Sequence, residues 1–241
     1  MSSFTLNSER FWERLWRSSG IIFIVFFVLS YVMYGLQPKV GASADTLVSF
    51  YDGNSTRILM ATLMFGSSVL FLLWFAAAIR SMLHDAGQGG WGAAATASSA
   101  ALGGMLWVLI AAGAALAYSI AGSGNDALTT GLNDLVWACI VVSSFPRAML
   151  IMAGTFGLWR AKLISNALFG AGVAAVLLVL VGGTTWASSG IWAPSGDYTR
   201  FVSPIIGVVW VLVFSRVLLA RRSPSTAPHS PEPPAAPAPA P

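Results

Sequence analysis

Arg147 is the residue of this sequence whose type and position point most directly to chemistry. It lies near the middle of the apolar stretch Leu135–Leu158, about 13 residues from Asp134 and from Arg160. About 20 Å of helix would therefore separate it from either end of a membrane span. A charge at the centre of a bilayer costs roughly 3 kcal/mol on insertion scales, and such charges often mark ligand or ion sites.

Three neighbours of Arg147 suggest a polar break in its helix. Pro146 has no amide hydrogen to donate, so it removes a helical hydrogen bond and predicts a kink. The hydroxyls of Ser143 and Ser144 can satisfy the freed backbone groups or line a small polar cavity. We therefore take Arg147, Ser143 and Ser144 as candidate ligand-binding residues, and Pro146 as the kink.

No carboxylate in the sequence is placed to pair with Arg147. All nine acidic residues fall outside the cores of the apolar stretches: Glu9, Glu13, Asp45, Asp52, Asp85, Asp126, Asp134, Asp197 and Glu232. The partners of Arg147 must then be carbonyls, hydroxyls, water, a lipid headgroup or a bound anion. Two interpretations stay open: a structural arginine hydrogen-bonded within the bundle, and a contact to an anionic or polar ligand.

The other reactive residue types argue against an enzyme or a metal protein. The histidines, His84 and His229, lie in a connection and in the tail, and Cys139 is the single cysteine. A zinc or haem site within the bundle would need ligands that these positions do not supply. No nucleophile–base pair, nucleophile elbow or phosphate-binding loop is present either. We predict no catalytic residue, no metal and no cofactor.

Composition and apolar runs predict the elements that position Arg147. The 241 residues are 56% hydrophobic and 9% charged, against about 25% charged residues in soluble proteins. A hydrocarbon core of about 30 Å needs roughly 20 apolar residues per helix. Six stretches are long enough: Gly20–Leu36, Ile58–Ala78, Ala100–Ile120, Leu135–Leu158, Ala167–Trp186 and Val202–Ala220. We predict an all-α, polytopic bundle of six transmembrane helices.

The distribution of Lys and Arg predicts the orientation of this bundle. One side receives nine of them: Arg10, Arg14, Arg17, Arg80, Arg160, Lys162, Arg216, Arg221 and Arg222. The other side receives three, namely Lys39, Arg57 and Arg200. By the positive-inside rule, we expect both termini to lie in the cytoplasm. We also expect the protein to lie in the plasma membrane. Because the basic residues are scattered and form no patch, we expect no nucleic-acid partner.

Three regions follow from these patterns. Residues 1–18 form a cytoplasmic arm, read either as an interfacial amphipathic helix or as an extension of the first span. Residues 19–222 form the transmembrane domain, and the Pro-rich residues 223–241 form a disordered cytoplasmic tail. We expect the first span to be retained, although cleavage as a signal peptide near Ala44 is the alternative.

Small residues predict which helices are central. The third and fifth apolar stretches are rich in Gly and Ala, and such surfaces let membrane helices approach closely. We therefore expect these two helices to lie at the centre of the bundle.

Several short segments resemble a known group of proteins. These segments are Asp45–Asp52, Arg57–Leu59, Phe75–Arg80, Phe145-Pro146, Ala153-Gly154 and Leu158–Arg160. They are similar to an uncharacterised, actinobacterial-type family of six-span integral membrane proteins, over most of Asp45–Arg222. The family has no established activity, so the resemblance implies only the topology.

Two classes of function are compatible with these features. The first is a small transport or ligand-binding protein in which Arg147 contacts an anionic or polar small ligand. The second is a non-catalytic scaffold or accessory subunit that contacts a membrane protein partner. In both cases the lipid bilayer surrounds the chain.

Overall fold

The computed structural model describes the backbone of residues 2–220 and the side chains of residues 15–220. This part of the chain is 82% helical and contains no strand. The helices are α1 Ser2–Tyr34, α2 Ala44–Tyr51, α3 Ser55–Asp85, α4 Gly89–Ala115, α5 Asp126–Val142, α6 Ser144–Arg160, α7 Asn166–Gly182 and α8 Ser203–Ala220. Short π-helical turns extend α4 at Leu116–Ile120 and precede α8 at Tyr198–Val202. The predicted tail lies outside the described residues.

Five segments are long and apolar enough to cross a membrane, which agrees with the predicted all-α membrane class. They are Leu15–Tyr34, Ser55–Asp85, Gly89–Ser123, Asp126–Arg160 and Tyr198–Ala220. The fourth of them combines α5 and α6. Helix α7 is apolar but has 17 residues, which corresponds to about 26 Å. It ends at Gly182, whereas the sequence predicted a span that continues to Trp186.

The long helices form a closed ring. Helix α1 packs on α3, α3 on α4, α4 on α5 and α6, α6 on α7, α7 on α8, and α8 on α1. We call the end of this ring that carries Tyr34 and Ser55 the upper end, and the end that carries Asp85 and Arg160 the lower end. Each of these helices contributes buried apolar side chains to the core of the bundle.

In the lower half, the interior of the ring is solidly packed. The rings of Phe75 and Trp210 meet edge to face, with their centroids 5.9 Å apart, and Ile79 beside them is fully buried. Gly154 lies against the Trp210 indole, and Gly20 lies against Phe75. Because glycine has no side chain, α6 and α1 approach these aromatic rings closely.

The expectation that the third and fifth apolar stretches are both central is only half right. Helix α4, from the third stretch, packs against α3, α5 and α6. Helix α7, from the fifth, lies at the periphery against α6 and α8, and Leu177 and Leu178 are exposed on its outer face. The expectation was wrong for α7 because its apolar residues surround the helix on all sides. Composition then does not tell a lipid-facing side from a buried one.

A connection of residues 35–43, which we call the strap, crosses the upper end and joins α1 to α2. Asn133 of α5 is fully buried beneath it. Its Oδ1 accepts hydrogen bonds from Tyr51 Oη (3.0 Å) and Gln37 Nε2 (3.2 Å), and its Nδ2 donates to Lys39 O (3.3 Å). Burial raises the pKa of Tyr51, so the phenol stays neutral and remains a donor. These bonds fix the strap and α2 to α5.

Candidate functional site

The site begins where α5 and α6 meet. Helix α5 ends at Val142 and α6 begins at Ser144. Pro146, in the first turn of α6, has no amide hydrogen to donate to the carbonyl of Val142. The amide of Arg147 resumes the helical pattern by donating to Ser143 O at 3.1 Å. Arg147 therefore stands in the first turn of a helix that starts in the middle of the bundle.

A cavity of about 190 Å³ occupies the upper half of the ring and is bordered by α1, α3, α4, α5, α6 and α8. Leu72 and Trp210 border its lower end, and Gln37 and Arg200 border its upper end. For comparison, an engineered cavity of about 150 Å³ in another protein holds a benzene molecule. This cavity is therefore large enough for a small organic ligand.

The guanidinium of Arg147 lines this cavity and contacts two neutral hydroxyls. Its Nη1 donates to Ser203 Oγ and its Nη2 to Ser143 Oγ, both at 2.9 Å. A guanidinium has five N–H donors, and these two hydrogen bonds use two of them. Among the described residues no buried side-chain nitrogen or oxygen lacks a partner. The Nε of Arg147, which has no recorded acceptor, must therefore border accessible space.

A second arginine, Arg200, lines the upper end of the same cavity. Its Nη2 donates to Gln37 O at 2.7 Å, and its guanidinium carbon lies 5.2 Å from the centroid of the Trp137 ring. Ser203, which accepts from Arg147, follows Arg200 by three residues. Arg200 and the serine that holds Arg147 are therefore about one helical turn, or about 5 Å, apart along the chain that leads into α8.

The lining of the cavity has a strong positive bias. It includes these two arginines and no Asp or Glu. The two guanidinium groups contact serine hydroxyls, the backbone carbonyl of Gln37 and an aromatic ring, all of which are neutral. Within the described residues, no ion pair compensates either charge. In a medium of low dielectric constant, two such charges attract an anion strongly.

The structure brings together some of the residues predicted from sequence. Arg147 and Ser143 meet at the cavity wall. Ser144, in contrast, is 2% exposed, does not line the cavity, and faces Gly182 of α7. The second hydroxyl that bonds to Arg147 belongs instead to Ser203 of α8, which is buried behind the cavity lining.

Arg200 and Ser203 were missed by the sequence reasoning. Arg200 lies just before the last apolar stretch, so it was counted as a loop residue on the less basic side. One signal was available, because Ser203 follows Arg200 by three residues and thus shares a helix face with it. Nothing in the sequence indicated that this face meets Arg147.

Other kinds of site find less support in the described part of the chain. No three His, Cys, Asp or Glu side chains there form a group that could hold a metal ion. A shallow depression at the lower end contains residues 87–91 and Arg160. It is open to solvent, and Arg160 is exposed there.

Comparison with known proteins leaves the site to be interpreted from its geometry. No family model matches the chain, and neither does any curated protein or solved structure.

Proposed function

We propose that this protein binds an anionic ligand inside the membrane, with Arg147 as the principal contact and Arg200 as the second. The observation that carries the proposal is the pair of arginines in one cavity, neither of them paired with a carboxylate among the described residues. The function is binding or transport of that ligand, without catalysis.

The hydrogen bonds of Arg147 support a ligand better than a purely structural role. Two serine hydroxyls satisfy two of its five donors. A carboxylate or phosphate accepts two parallel N–H bonds from a guanidinium, and such charge-assisted bonds are roughly twice as strong as neutral ones. Ser143 and Ser203 hold the guanidinium in place, and a bound anion would complete its hydrogen bonding.

We further propose that the chain crosses the plasma membrane six times, with both termini in the cytoplasm. Helix α7, at 17 residues, is at the lower limit of about 17 to 25 residues for a span. The excess of Lys and Arg near the lower end supports a cytoplasmic position for that end. The arginine end of the cavity then lies toward the outside.

The alternative is a scaffold or accessory subunit that binds a membrane protein partner. Such a role requires no charge in an internal cavity. Loss of anion binding on substitution of Arg147 therefore separates the two functions.

The proposal is tested by thermal unfolding of the protein in nanodiscs of phosphatidylcholine. Inorganic phosphate, octanoate and octyl phosphate are titrated at constant ionic strength. We expect at least one of them to raise the Tm saturably, by roughly 5 °C at a hundredfold excess over Kd. Arg147→Gln abolishes this rise because the guanidinium is replaced by a neutral amide.

Arg216→Gln is the matched control, since Arg216 is exposed on α8 and does not line the cavity. This variant keeps the full rise in Tm. The proposal is overturned if none of the three anions raises the Tm of the parent protein, or if Arg147→Gln responds as the parent does.

A further inference from the structure

We propose that the anion bound by Arg147 and Arg200 carries an alkyl chain, which lies in the lower part of the cavity. The ligand class is then an amphiphile with a phosphate or carboxylate head. This inference rests on the proposed function and specifies its ligand.

The two parts of the cavity differ in polarity. The upper part combines polar side chains, including both arginines, with apolar ones such as Leu36 and Leu109, whereas the lower part is apolar: Phe23, Leu72, Leu102, Leu106, Trp210 and Val211. Two hydroxyls also line the wall, those of Ser30 and Thr62. Each donates to a carbonyl of its own helix at 2.7 Å. They therefore leave the apolar character of the wall intact.

The floor of the cavity is apolar as well. Trp210 is 4% exposed, and its indole N–H donates to Thr155 Oγ1 at 3.1 Å. Its polar atom is thereby occupied on the side of α6, and the ring carbons remain to face the cavity. A free phosphate ion at the arginines would leave this apolar space without an occupant, whereas an alkyl chain fills it.

The length of the lower part fits a chain of moderate size. Arg147 reaches the level of Ser203, and Trp210 follows Ser203 by seven residues on α8. This separation corresponds to about 10 Å along the helix, which is close to the length of an extended octyl group. An octyl chain would therefore reach from the arginines to the floor, and a longer chain would have to curve within the cavity.

The surroundings of the cavity favour a ligand that comes from the bilayer. The strap closes the upper end, where Trp137 Nε1 donates to Pro38 O at 2.8 Å and Arg200 bonds to Gln37 O. Below it, the backbones of α5 and α8 are only sparsely in contact, and the side chains of Arg200 and Trp137 bridge the space between them. The polar groups extend from Arg147 up to Arg200 and the strap, and the apolar part lies below them, in the order in which the head and chain of a lipid of one leaflet are arranged.

The inference is tested with octyl phosphate that carries a photoreactive diazirine on its terminal carbon, in phosphatidylcholine nanodiscs. On illumination the diazirine loses N₂, and the resulting carbene inserts into the nearest bond. We expect labelled peptides to contain the floor residues near Leu72 and Trp210. Excess octyl phosphate should suppress this labelling at least tenfold, whereas octanol and inorganic phosphate at the same concentration should not.

A variant that fills the lower cavity gives a second measurement. Leu106→Trp enlarges a side chain that lines this part, and Leu63→Trp is the control because Leu63 is 63% exposed on the lipid-facing side of α3. We expect Leu106→Trp to weaken octyl phosphate binding at least tenfold and Leu63→Trp to leave it unchanged. Labelling of the parent protein stays informative if Leu106→Trp fails to fold.

The outcomes distinguish this inference from the proposed function. If inorganic phosphate competes as well as octyl phosphate and the floor is not labelled, the inference of an alkyl chain is overturned, while the proposal of anion binding stands. If octanol competes as well as octyl phosphate, the head group does not contribute, and both proposals fail. Floor labelling that depends on Arg147 and is lost in Leu106→Trp supports the amphiphile.

Discussion

At the scale of single residues, Arg147 and Arg200 differ from an exposed basic residue such as Arg216 because their side chains line an internal cavity. Arg216, on the neighbouring helix, is exposed, and a long side chain near a span end can reach the polar interface. Arg147 instead bonds to Ser143 and Ser203 at the wall of a cavity. The inward charge has a cost in stability that binding of an anion would offset.

This cost leads to a prediction for the protein without ligand. Arg147→Met removes the charge and keeps an unbranched apolar side chain, so we expect the Tm in phosphatidylcholine nanodiscs to stay the same or rise, because burying a charge is expensive. Ser203→Ala removes one acceptor and leaves the charge in place. We expect it to lower stability by about 1 kcal/mol.

Ser67→Ala serves as the control, since the Ser67 hydroxyl donates to Leu63 O in its own helix. It should melt within a degree or so of the parent, as surface substitutions usually do. A large drop in Tm for Arg147→Met would instead show that the bundle needs the guanidinium for its structure.

At the scale of the helices, the site depends on the break between α5 and α6 and on the way α7 supports α6 from outside. Gly172 of α7 lies directly against the side chain of Thr155, whose hydroxyl accepts from Trp210 at the cavity floor. Gly182 lies against Ser144 and Ser203. Helix α7 thus lines no part of the cavity, but it packs against Thr155 and Ser203, which hydrogen-bond to the lining residues Trp210 and Arg147.

Two glycines of α7 provide a matched pair that tests this bracing. A methyl group added at Gly172 would collide with Thr155, whereas one added at Gly170 meets nothing within 4 Å. We expect Gly172→Ala to lower the Tm, because closely packed helices accept extra volume at a cost of about 1–3 kcal/mol.

Gly170→Ala should be neutral or slightly stabilising, because alanine is the better helix former by about 1 kcal/mol. The Tm of both variants is measured by thermal unfolding in the same nanodiscs and compared with that of the parent. Equal effects of the two substitutions would mean that α7 does not pack on α6 as described.

At the scale of the whole molecule, the ring is solid in its lower half and hollow in its upper half. The solid half is formed around Phe75, Gly154 and Trp210, and the strap covers the hollow half. This asymmetry gives the cavity a single polar end. If the proposed topology holds, that end faces away from the cytoplasm, and the ligand is received from the outer leaflet.

Cysteine labelling tests the proposed topology. In a Cys139→Ala background, Ser123→Cys places a thiol at the upper end and His84→Cys places one at the lower end, and both native residues are exposed. A membrane-impermeant maleimide should label Ser123→Cys in intact cells. It should label His84→Cys only after the membrane is made permeable. Labelling of both, or the reverse pattern, would rule out the proposed orientation.

The all-helical class and several local features could be predicted from sequence. The apolar stretches located the long helices. Arg147 and Ser143 were identified because a charge amid apolar residues is locally evident. These features depend on a few neighbouring residues, and local sequence therefore suffices.

The rest of the site depends on which helices meet, and apolar patterns do not encode this in a membrane. Arg200 and Ser203 join Arg147 only because α8 packs beside α6 at this level. Ser144 and Ser143 are adjacent and chemically identical, yet one faces α7 and the other the cavity. Residues on every side of a membrane helix are apolar, so the sequence does not show which side faces a neighbour.

The most direct test is a calorimetric titration of the anion that stabilises the protein most into nanodiscs containing the parent, Arg147→Gln and Arg216→Gln. We expect one site per chain in the parent, and an affinity at least tenfold weaker in Arg147→Gln, since a charge-assisted bond contributes about 1.5–3 kcal/mol. Arg216→Gln should bind as the parent does. Equal affinity of the parent and Arg147→Gln would contradict an intramembrane anion site at Arg147.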